Sequence, residues 1–577
     1  MFTRQRAMAT TAGKAALILI ATLVTYMPAM SAGFIWDDGQ LLIQNPLIHD
    51  PAGIWKVWLA PAAADSFPLT ASVLWIEYHL GGFFDLWNVG FLLRHAADGA
   101  VNGYHVVNIL LHGIAAVLMW RVLRVLRVPG AWLAALIFAV HPVCVESVAW
   151  VSELKNTLSH VFFVLTLLAY FHFETNRRAA LYVCAVAAFC LSLAAKPSVV
   201  PLPAVLLLAA WWQRGTITWR DVTRSLPFFA ASCIAGIVAV ALQSGSAMDA
   251  DVIAIGGPGS RVANAGMAVW FYLSKVVCPL HLIPIYPAWK VTPPAWYELL
   301  PAVALVAVVV GCWRWRARAW ARTGLAALGY YTIMLLPALG LVKMSYMRLT
   351  VVADHFQYHA MMSVIALVVA APLRWLPRRA WTLFAAVVVV TLCSLSWTQA
   401  AMYRNEETLW TETLKRNPDS WQAHNLLGVA LWKKGDPTST AEAFEHFRRA
   451  VELNPENPEV HNNLGLGYAT RGQMDPAIEE YKKAIRIRDD AAIRTNLGNA
   501  LCAEQRYAEA GEQYRTAASM DPGNPARYVN LGYALMQQDR LDEASEQFRQ
   551  ALHIDPNLAQ PRQYLSAIAN RQAQNPH

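Results

Sequence analysis

The chain has 577 residues and a mass of 63.9 kDa, too long for one ordinary domain. Its 56% apolar content and mean hydropathy of +0.31 place it among membrane proteins. The formal charge of +8 conceals two parts, with 27 Lys and Arg against 15 Asp and Glu in residues 1–400 and 20 against 24 in residues 401–577; the basic residues of the first part lie in short loops and form no stripe, which argues against nucleic acid as a partner.

Segment 15–32 follows Arg4, Arg6 and Lys14 in the manner of a signal peptide. Further apolar runs follow it, so it is expected to be a retained first span with its positive flank inside. Runs long enough to cross a bilayer fall near 15–32, 106–122, 130–146, 157–173, 179–195, 199–213, 225–243, 296–313, 323–340, 358–373 and 380–399. That predicts about eleven spans and an all-α membrane bundle. The N-terminus and alternate loops hold 18 of the 27 basic residues, with only Glu174 and Asp221 among acids. The opposite side holds nine basic and thirteen acidic residues, a clear positive-inside bias.

The run 263–280 is ambiguous, because a single full crossing there would reverse the bias downstream. It is expected to be re-entrant or interfacial, unless the Pro-rich 281–295 stretch also enters the membrane. An odd span number places everything after residue 400 outside. The expected location is a bacterial inner membrane with a cytoplasmic N-terminus and a periplasmic C-terminal part, or the ER lumen in a eukaryotic cell. Seven of the eight cysteines lie in the apolar part without metal or disulfide spacing.

The same topology gathers polar groups on the outer side. The first outer loop, 33–105, opens with Gly33-Phe34-Ile35-Trp36-Asp37-Asp38 and continues through Asn45-Pro46 and Phe67-Pro68-Leu69-Thr70. The amphipathic run Val73–Leu80 predicts a helix lying on the bilayer. His105, Asn108 and His112 then share one face of the next span. The third span leads into His141, Glu146, Glu153, Lys155 and Asn156; Lys196 ends the fifth; Tyr346, Arg348, Asp354, His355 and Tyr358 precede the tenth. Each group alone has an alternative as a structural ion pair or an interhelical hydrogen bond. No nucleotide-binding or metal-ligand pattern occurs, so no cofactor or metal is expected.

After residue 400 the chain repeats itself. Asn463-Leu464-Gly465, Asn496-Leu497-Gly498 and Asn530-Leu531-Gly532 recur after 33 and 34 residues. Alanine follows each glycine at twelve (Ala477, Ala510, Ala544), an aromatic at sixteen (Tyr481, Tyr514, Phe548) and alanine again at nineteen (Ala484, Ala517, Ala551). An earlier copy holds Gly428, Ala443, Phe447, Ala450 and Pro455. The pattern resembles the tetratricopeptide repeat (TPR): small residues where antiparallel helices cross, an aromatic in the gap, proline at the end. It predicts a C-terminal α-solenoid over 401–577, with a half-repeat helix at 405–418, four repeats and a cap helix at 561–571. Asn425, Asn463, Asn496 and Asn530 are candidate groove residues for a peptide or protein; they could equally pin the helix pairs.

Trp36-Asp37-Asp38, Tyr104–His112, His141–Asn156 and Ala353-Asp354-His355-Phe356-Gln357-Tyr358, followed by outward repeats, resemble the transmembrane-and-TPR-containing O-mannosyltransferase family and its bacterial relatives across essentially the whole chain. That family belongs to the GT-C class of glycosyltransferases. The resemblance implies a polyprenyl-phosphate sugar (mannose or another hexose) as donor, an outer-face site, a catalytic acid in the first outer loop and a protein acceptor glycosylated at Ser or Thr. It makes Asp37 or Asp38 the expected general base, the other orienting it or binding acceptor. Lys196, Arg348, His355, His105 and Lys155 are the expected cations and donors for the departing phosphate, in that order, and a single displacement would invert the sugar. Asn108, His112, His141, Glu146, Glu153, Asp354 and Tyr358 would support the site.

Two positions depart from many relatives, which have arginine where this chain has Phe67 and His355; if either arginine binds the donor phosphate, His355 or another base must replace it. Two competing readings remain: a non-catalytic membrane anchor whose repeats scaffold an envelope complex, and a lipid-linked glycan ligase or polymerase with a carbohydrate acceptor.

Overall fold

The computed structural model describes residues 2–59, 67–84, 99–244, 256–289, 291–341, 345–375 and 377–574. Parts of the predicted first loop, residues 60–66 and 85–98, lie outside them. Every regular element among the described residues is a helix, with no strand. The chain divides into two compact units, Met1–Asn417 and Pro418–His577.

In the first unit the helices are α1 (Phe2–Thr25), α2 (Pro68–Phe84), α3 (Gly99–Val125), α4 (Ala131–Ala139), α5 (Val145–Ala149), α6 (Leu154–Asn176), α7 (Ala179–Ala195), α8 (Leu202–Arg214), α9 (Trp219–Ser244), α10 (Pro258–Val277), α11 (Leu300–Arg314), α12 (Ala319–Leu335), α13 (Met361–Ala370), α14 (Arg378–Met402) and α15 (Glu406–Arg416). Short helices Pro46–His49 and Gly53–Leu59 lie between α1 and α2. The helix predicted at Val73–Leu80 is the middle of α2.

Among the described residues, five helical segments are long and apolar enough to cross a membrane: Gly103–Val125, Val151–Asn176, Trp219–Leu242, Trp296–Arg314 and Arg379–Met402. A sixth arises if α4 and the Pro142–Ala149 segment, bent by 49° from it, form one broken span. The eleven expected runs therefore do not map onto eleven long helices. Prolines account for much of the shortening, since they remove a backbone donor and end a helix: Pro142 follows α4, while Pro197 and Pro201 separate α7 from α8. The ambiguous run is α10, which packs on α11; Trp270 Nε1 donates to the Pro301 carbonyl at 2.9 Å.

Depth in the bundle follows composition. α6, flanked by α3 and α7, buries most of its apolar window, whereas the window of Trp296–Arg314 holds no buried residue and presents Val303, Val306 and Val310 outward. An entirely apolar exposed helix face is what a lipid-facing helix requires.

The second unit begins with helix pairs α16 (Trp421–Trp432) and α17 (Pro437–Leu453), α18 (Pro458–Thr470) and α19 (Met474–Ile487), α20 (Ala491–Ala503) and α21 (Tyr507–Met520), α22 (Pro525–Gln537) and α23 (Leu541–Ile554), with α24 (Ala559–Gln574) last. Ser420, Asp436, Asn457, Asp490 and Asn524 each cap a helix by accepting a backbone N–H with the side chain. The repeated glycines are spaces for the repeated aromatics. A Cβ on Gly465 would stand 2.7 Å from the Tyr481 ring, and one on Gly532 2.6 Å from Phe548, so the backbones approach only because no side chain intervenes.

Candidate active site

The acid pair lies in a turn that the sequence makes unusual. Trp36 has φ of 52°, a left-handed conformation that costs a non-glycine residue roughly 1–2 kcal/mol. Its surroundings hold it there. The indole stacks on Trp150 (centroids 4.8 Å apart, planes 3° apart) and meets Trp410 of α15 edge-on at 5.0 Å, while the Trp36 backbone N–H donates to Glu406 at 3.2 Å. Such stacks contribute about 0.5–1.5 kcal/mol beyond their area.

From that turn the two carboxylates have different fates. Asp38 is 1% exposed. Its Oδ2 accepts the Ile35 N–H at 2.9 Å, and its Oδ1 accepts the Ser152 N–H at 2.8 Å together with the Ser152 hydroxyl. Burial pushes its carboxyl up to about 7, the three hydrogen bonds oppose the rise, and Asp37 adds to it. Asp37 is partly exposed.

Next to Ser152 lies a buried ionic knot. Glu153 meets Lys155 Nζ at 3.0 Å and Lys196 Nζ at 3.3 Å, and accepts the Asn156 amide at 2.5 Å. Lys155 and Lys196 are 12% and 11% exposed, so two ammonium groups converge on one carboxylate in a sparsely solvated place. The Lys155 ammonium also stands 6.0 Å over the Trp150 ring. Lys196 extends from the end of α7, and the Thr70 hydroxyl donates to the adjacent Ala195 carbonyl at 2.9 Å, bringing the start of α2 against the knot.

A second polar contact joins Glu146 to His355, whose ring meets Trp150 edge-on at 6.4 Å. Glu146 of α5 accepts the His355 N–H at 2.9 Å and faces its Nδ1 at 3.2 Å, with the Tyr346 hydroxyl 3.5 Å away. Asn156 donates to the His355 carbonyl at 3.3 Å, linking the two contacts. Asp354 accepts the Tyr286 hydroxyl at 2.9 and 3.1 Å; burial and nearby Glu146 hold its carboxyl well above the usual range.

The structure thus brings Asp38, Glu146, Glu153, Lys155, Lys196, Asp354 and His355 around the 145–156 turn. Other expected site residues act in the framework. Asn108 donates to the Ser147, Val148 and Trp150 carbonyls at 3.0–3.3 Å and accepts from Thr157, clamping that turn onto α3. His112 links Tyr358 (2.6 Å) to the Ala139 carbonyl (3.1 Å). His141 caps the turn after α4 and bonds the Val276 carbonyl at 3.0 Å. His105 is buried against the Ala32–Gly33 backbone. Arg348 ends the turn Ser345–Arg348, and its side chain is outside the described groups. Phe67 stands before the first turn of α2, where its carbonyl accepts the Ala71 N–H.

Ser152, Thr70, Tyr286 and the Trp36–Trp150–Trp410 stack carry no local sequence signal for their roles. Only the crowding of polar residues at 141–156 marks the place. Among the described residues no three His, Cys, Asp or Glu side chains converge as a metal site would need. The polar cluster sits at the start of α6 and the end of α7, whereas Glu174, Arg177 and Arg224 pair at the opposite end of α6. The 23 residues of α6 span about 34 Å at about 1.5 Å each, so the site and these basic loops occupy opposite ends of the bundle.

In the second unit, three of the four candidate groove asparagines bond along the array. Asn496 Nδ2 donates to Asn462 at 2.9 Å, Asn462 to Asn463 at 3.2 Å and Asn463 to Asn425 at 2.8 Å. Asn530, in α22, is partly exposed.

Models of the tetratricopeptide repeat match residues 407–446, 438–492 and 501–570. The chain is 23% identical to "Protein O-mannosyl-transferase Tmtc3" of Drosophila melanogaster over 88% of its own length and 58% of that protein's. It is 30% identical to "Protein O-mannosyl-transferase TMTC4" of Mus musculus over 26% of this chain and 22% of that one. A "Small glutamine-rich tetratricopeptide repeat-containing protein 2" of Mycosarcoma maydis is 36% identical over 14% of this chain and 24% of its own length. The chain spans less than two thirds of each of these relatives. Apolar helices, a repeat array and a likeness that runs through both make this membrane protein similar to the transmembrane-and-TPR-containing protein O-mannosyl-transferases.

Proposed function

We propose that the protein is a membrane glycosyltransferase that moves a sugar, mannose or another hexose, from a polyprenyl-phosphate donor to Ser or Thr hydroxyls of protein acceptors. The observation that carries this reading is the junction of Asp38 with the Glu153–Lys155–Lys196 knot through the adjacent residues Ser152 and Glu153. It sets an acid pair beside two poorly solvated ammonium groups, which suits a hydroxyl nucleophile and a phosphate leaving group.

Asp37 is the general base, because its carboxylate is partly exposed and can take the hydroxyl proton as the glycosidic bond breaks. Asp38, occupied by three donors, positions the turn. Lys196 and Lys155 stabilise the charge developing on the departing phosphate, and Arg348 and His355 are further candidates for that role. Attack opposite the leaving group inverts the anomeric centre. In this reading residues 1–400 form the transferase, 401–577 bind acceptor or partner protein, and the site and repeats face the compartment opposite the basic loops, the periplasm if the membrane is a bacterial inner membrane.

The test is incubation of the purified full chain with labelled polyprenyl-phosphate mannose and Ser/Thr-containing peptides. Mass spectrometry then reads hexose on peptide hydroxyls, and the linkage reads inversion. A membrane scaffold transfers nothing; a glycan ligase labels carbohydrate acceptors and leaves the peptides unmodified.

A further inference from the structure

A cavity in the first unit has no place in this chemistry. It encloses about 530 Å³ between α3, α6, α8, α12 and α13, a volume within the roughly 300–1,000 Å³ of sites for small organic ligands. Its walls include Leu167, Phe171, Val205, Leu208, Ala327 and Ala366. Away from the rim, polar groups in the wall are occupied within the protein: Trp212 Nε1 donates to Thr323 at 3.2 Å, the Ser363 hydroxyl to the Ala327 carbonyl at 2.9 Å and the Tyr330 hydroxyl to the His359 carbonyl at 3.0 Å. An apolar cavity whose polar atoms are satisfied offers water nothing and suits hydrocarbon.

Its position names the rest of the ligand. Fourteen residues of α3 separate Asn108, beside the candidate active site, from Val122 at the cavity, about 21 Å along the helix. The cavity therefore lies at the basic-loop end. Arg127 is the one charged side chain among the described residues that line it, and it is exposed at the rim. Trp320 and Trp375 also line it and are 48% and 80% exposed, as expected of aromatic side chains at a membrane–water boundary. Arg124 continues the basic rim along α3, and Arg318 stands at the start of α12.

We infer that this cavity binds one acyl chain of an anionic membrane phospholipid from the leaflet on the basic-loop side, with Arg127 meeting the headgroup phosphate. Charge decides for this occupant: basic rims between helices on the basic side recognise acidic headgroups, at about 1 kcal/mol per arginine. The prenyl tail of a donor bound at the acid pair would bring hydrocarbon alone to this depth and give Arg127 no role. This site does not depend on the proposed transfer reaction.

Gly324 supplies the probe, because it lines the cavity on α12 and a Cβ there would meet nothing within 4 Å. Gly324→Phe fills the space, while Gly324→Ala leaves it open and controls for helix effects. Full-length protein is reconstituted in nanodiscs of mixed phosphatidylglycerol and phosphatidylcholine, stripped gently with detergent, and its retained lipid counted by mass spectrometry. Wild type and Gly324→Ala should keep one phosphatidylglycerol per chain. Gly324→Phe should keep about a tenth as much, and Arg127→Gln should lower the preference over phosphatidylcholine about fivefold. Equal retention of both lipids by wild type, retention unchanged in Gly324→Phe, or mole-for-mole displacement by a polyprenyl phosphate would each overturn the assignment. Transfer activity is read separately, so failure of one proposal leaves the other standing.

Discussion

Replacing Lys196 with methionine separates a phosphate-binding role from a structural one. Methionine keeps most of the aliphatic stem and removes an ammonium 3.3 Å from Glu153. Glu153 retains Lys155 at 3.0 Å and Asn156 at 2.5 Å. The loss of stability should therefore stay below the roughly 3–5 kcal/mol seen when a buried charge loses its partner outright. For the donor the loss is larger in proportion. A unit charge on phosphate about 4 Å from the ammonium is worth about 4 kcal/mol at an effective dielectric of about 20. Partial compensation by Lys155 should bring the realised loss to about 2–3 kcal/mol, or roughly 30–150-fold in kcat/KM. The assay titrates labelled polyprenyl-phosphate mannose against folded protein and follows melting in parallel. Lys196→Arg should recover much of kcat/KM, because it restores the charge. If Lys196→Met lowers the melting temperature while kcat/KM per folded molecule stays at the wild-type value, the phosphate assignment is wrong.

Further outcomes follow from the same contacts. Asp38 has a folded-state value of about 7 against 3.8 for the free group, so the stability favouring its protonated form is complete below about pH 4 and is lost as pH rises through 7. The melting-temperature advantage of wild type over Asp38→Asn should thus be greatest at or below about pH 4 and shrink steadily toward about pH 8; a gap that widens with pH contradicts the burial described. Ser152→Ala removes a hydroxyl donor from Asp38 and should cost about 1.5–3 kcal/mol of stability, measurable as a lowered melting temperature. In the repeats, a side chain at Gly465 collides with Tyr481, and Gly465→Val should destabilise its helix pair by about 1–3 kcal/mol, read by hydrogen exchange in α18 and α19. There too, Glu480 holds the His461 imidazole above its usual range and is itself held below its own. Their pairing is strongest between about pH 4.5 and 6.5, declining above as His461 deprotonates and below as Glu480 protonates; His461→Gln should flatten that profile of exchange protection.

How much of this was legible depended on the range of each interaction. The repeat pattern reads directly, because Gly465, Ala477 and Tyr481 meet within one helix pair and recur at a fixed period. The acid pair and the crowd of polar residues at 141–156 also stand out, since such groups are expensive near a bilayer. Which side chain meets which does not. The Asp38–Ser152 bond joins residues 114 apart and the Glu146–His355 bond residues 209 apart, beyond any local pattern. Span lengths blurred for a different reason: hydropathy registers apolar content, while Pro142, Pro197 and Pro201 break the helices within it. The helix predicted at 405–418 is α15, whose Trp410 packs on Trp36 inside the first unit while Arg416 and Asn417 bond the Leu282 and Ile285 carbonyls. The asparagines chosen as groove residues largely bond to their own kind, which a repeat pattern cannot distinguish from a peptide-facing role.

The most direct measurement is single-turnover transfer by the Asp37→Asn protein reconstituted with labelled polyprenyl-phosphate mannose and a Ser/Thr peptide. The account predicts donor bound with wild-type affinity, a wild-type melting temperature and no hexose on the peptide. Transfer at the wild-type rate by that variant would contradict it.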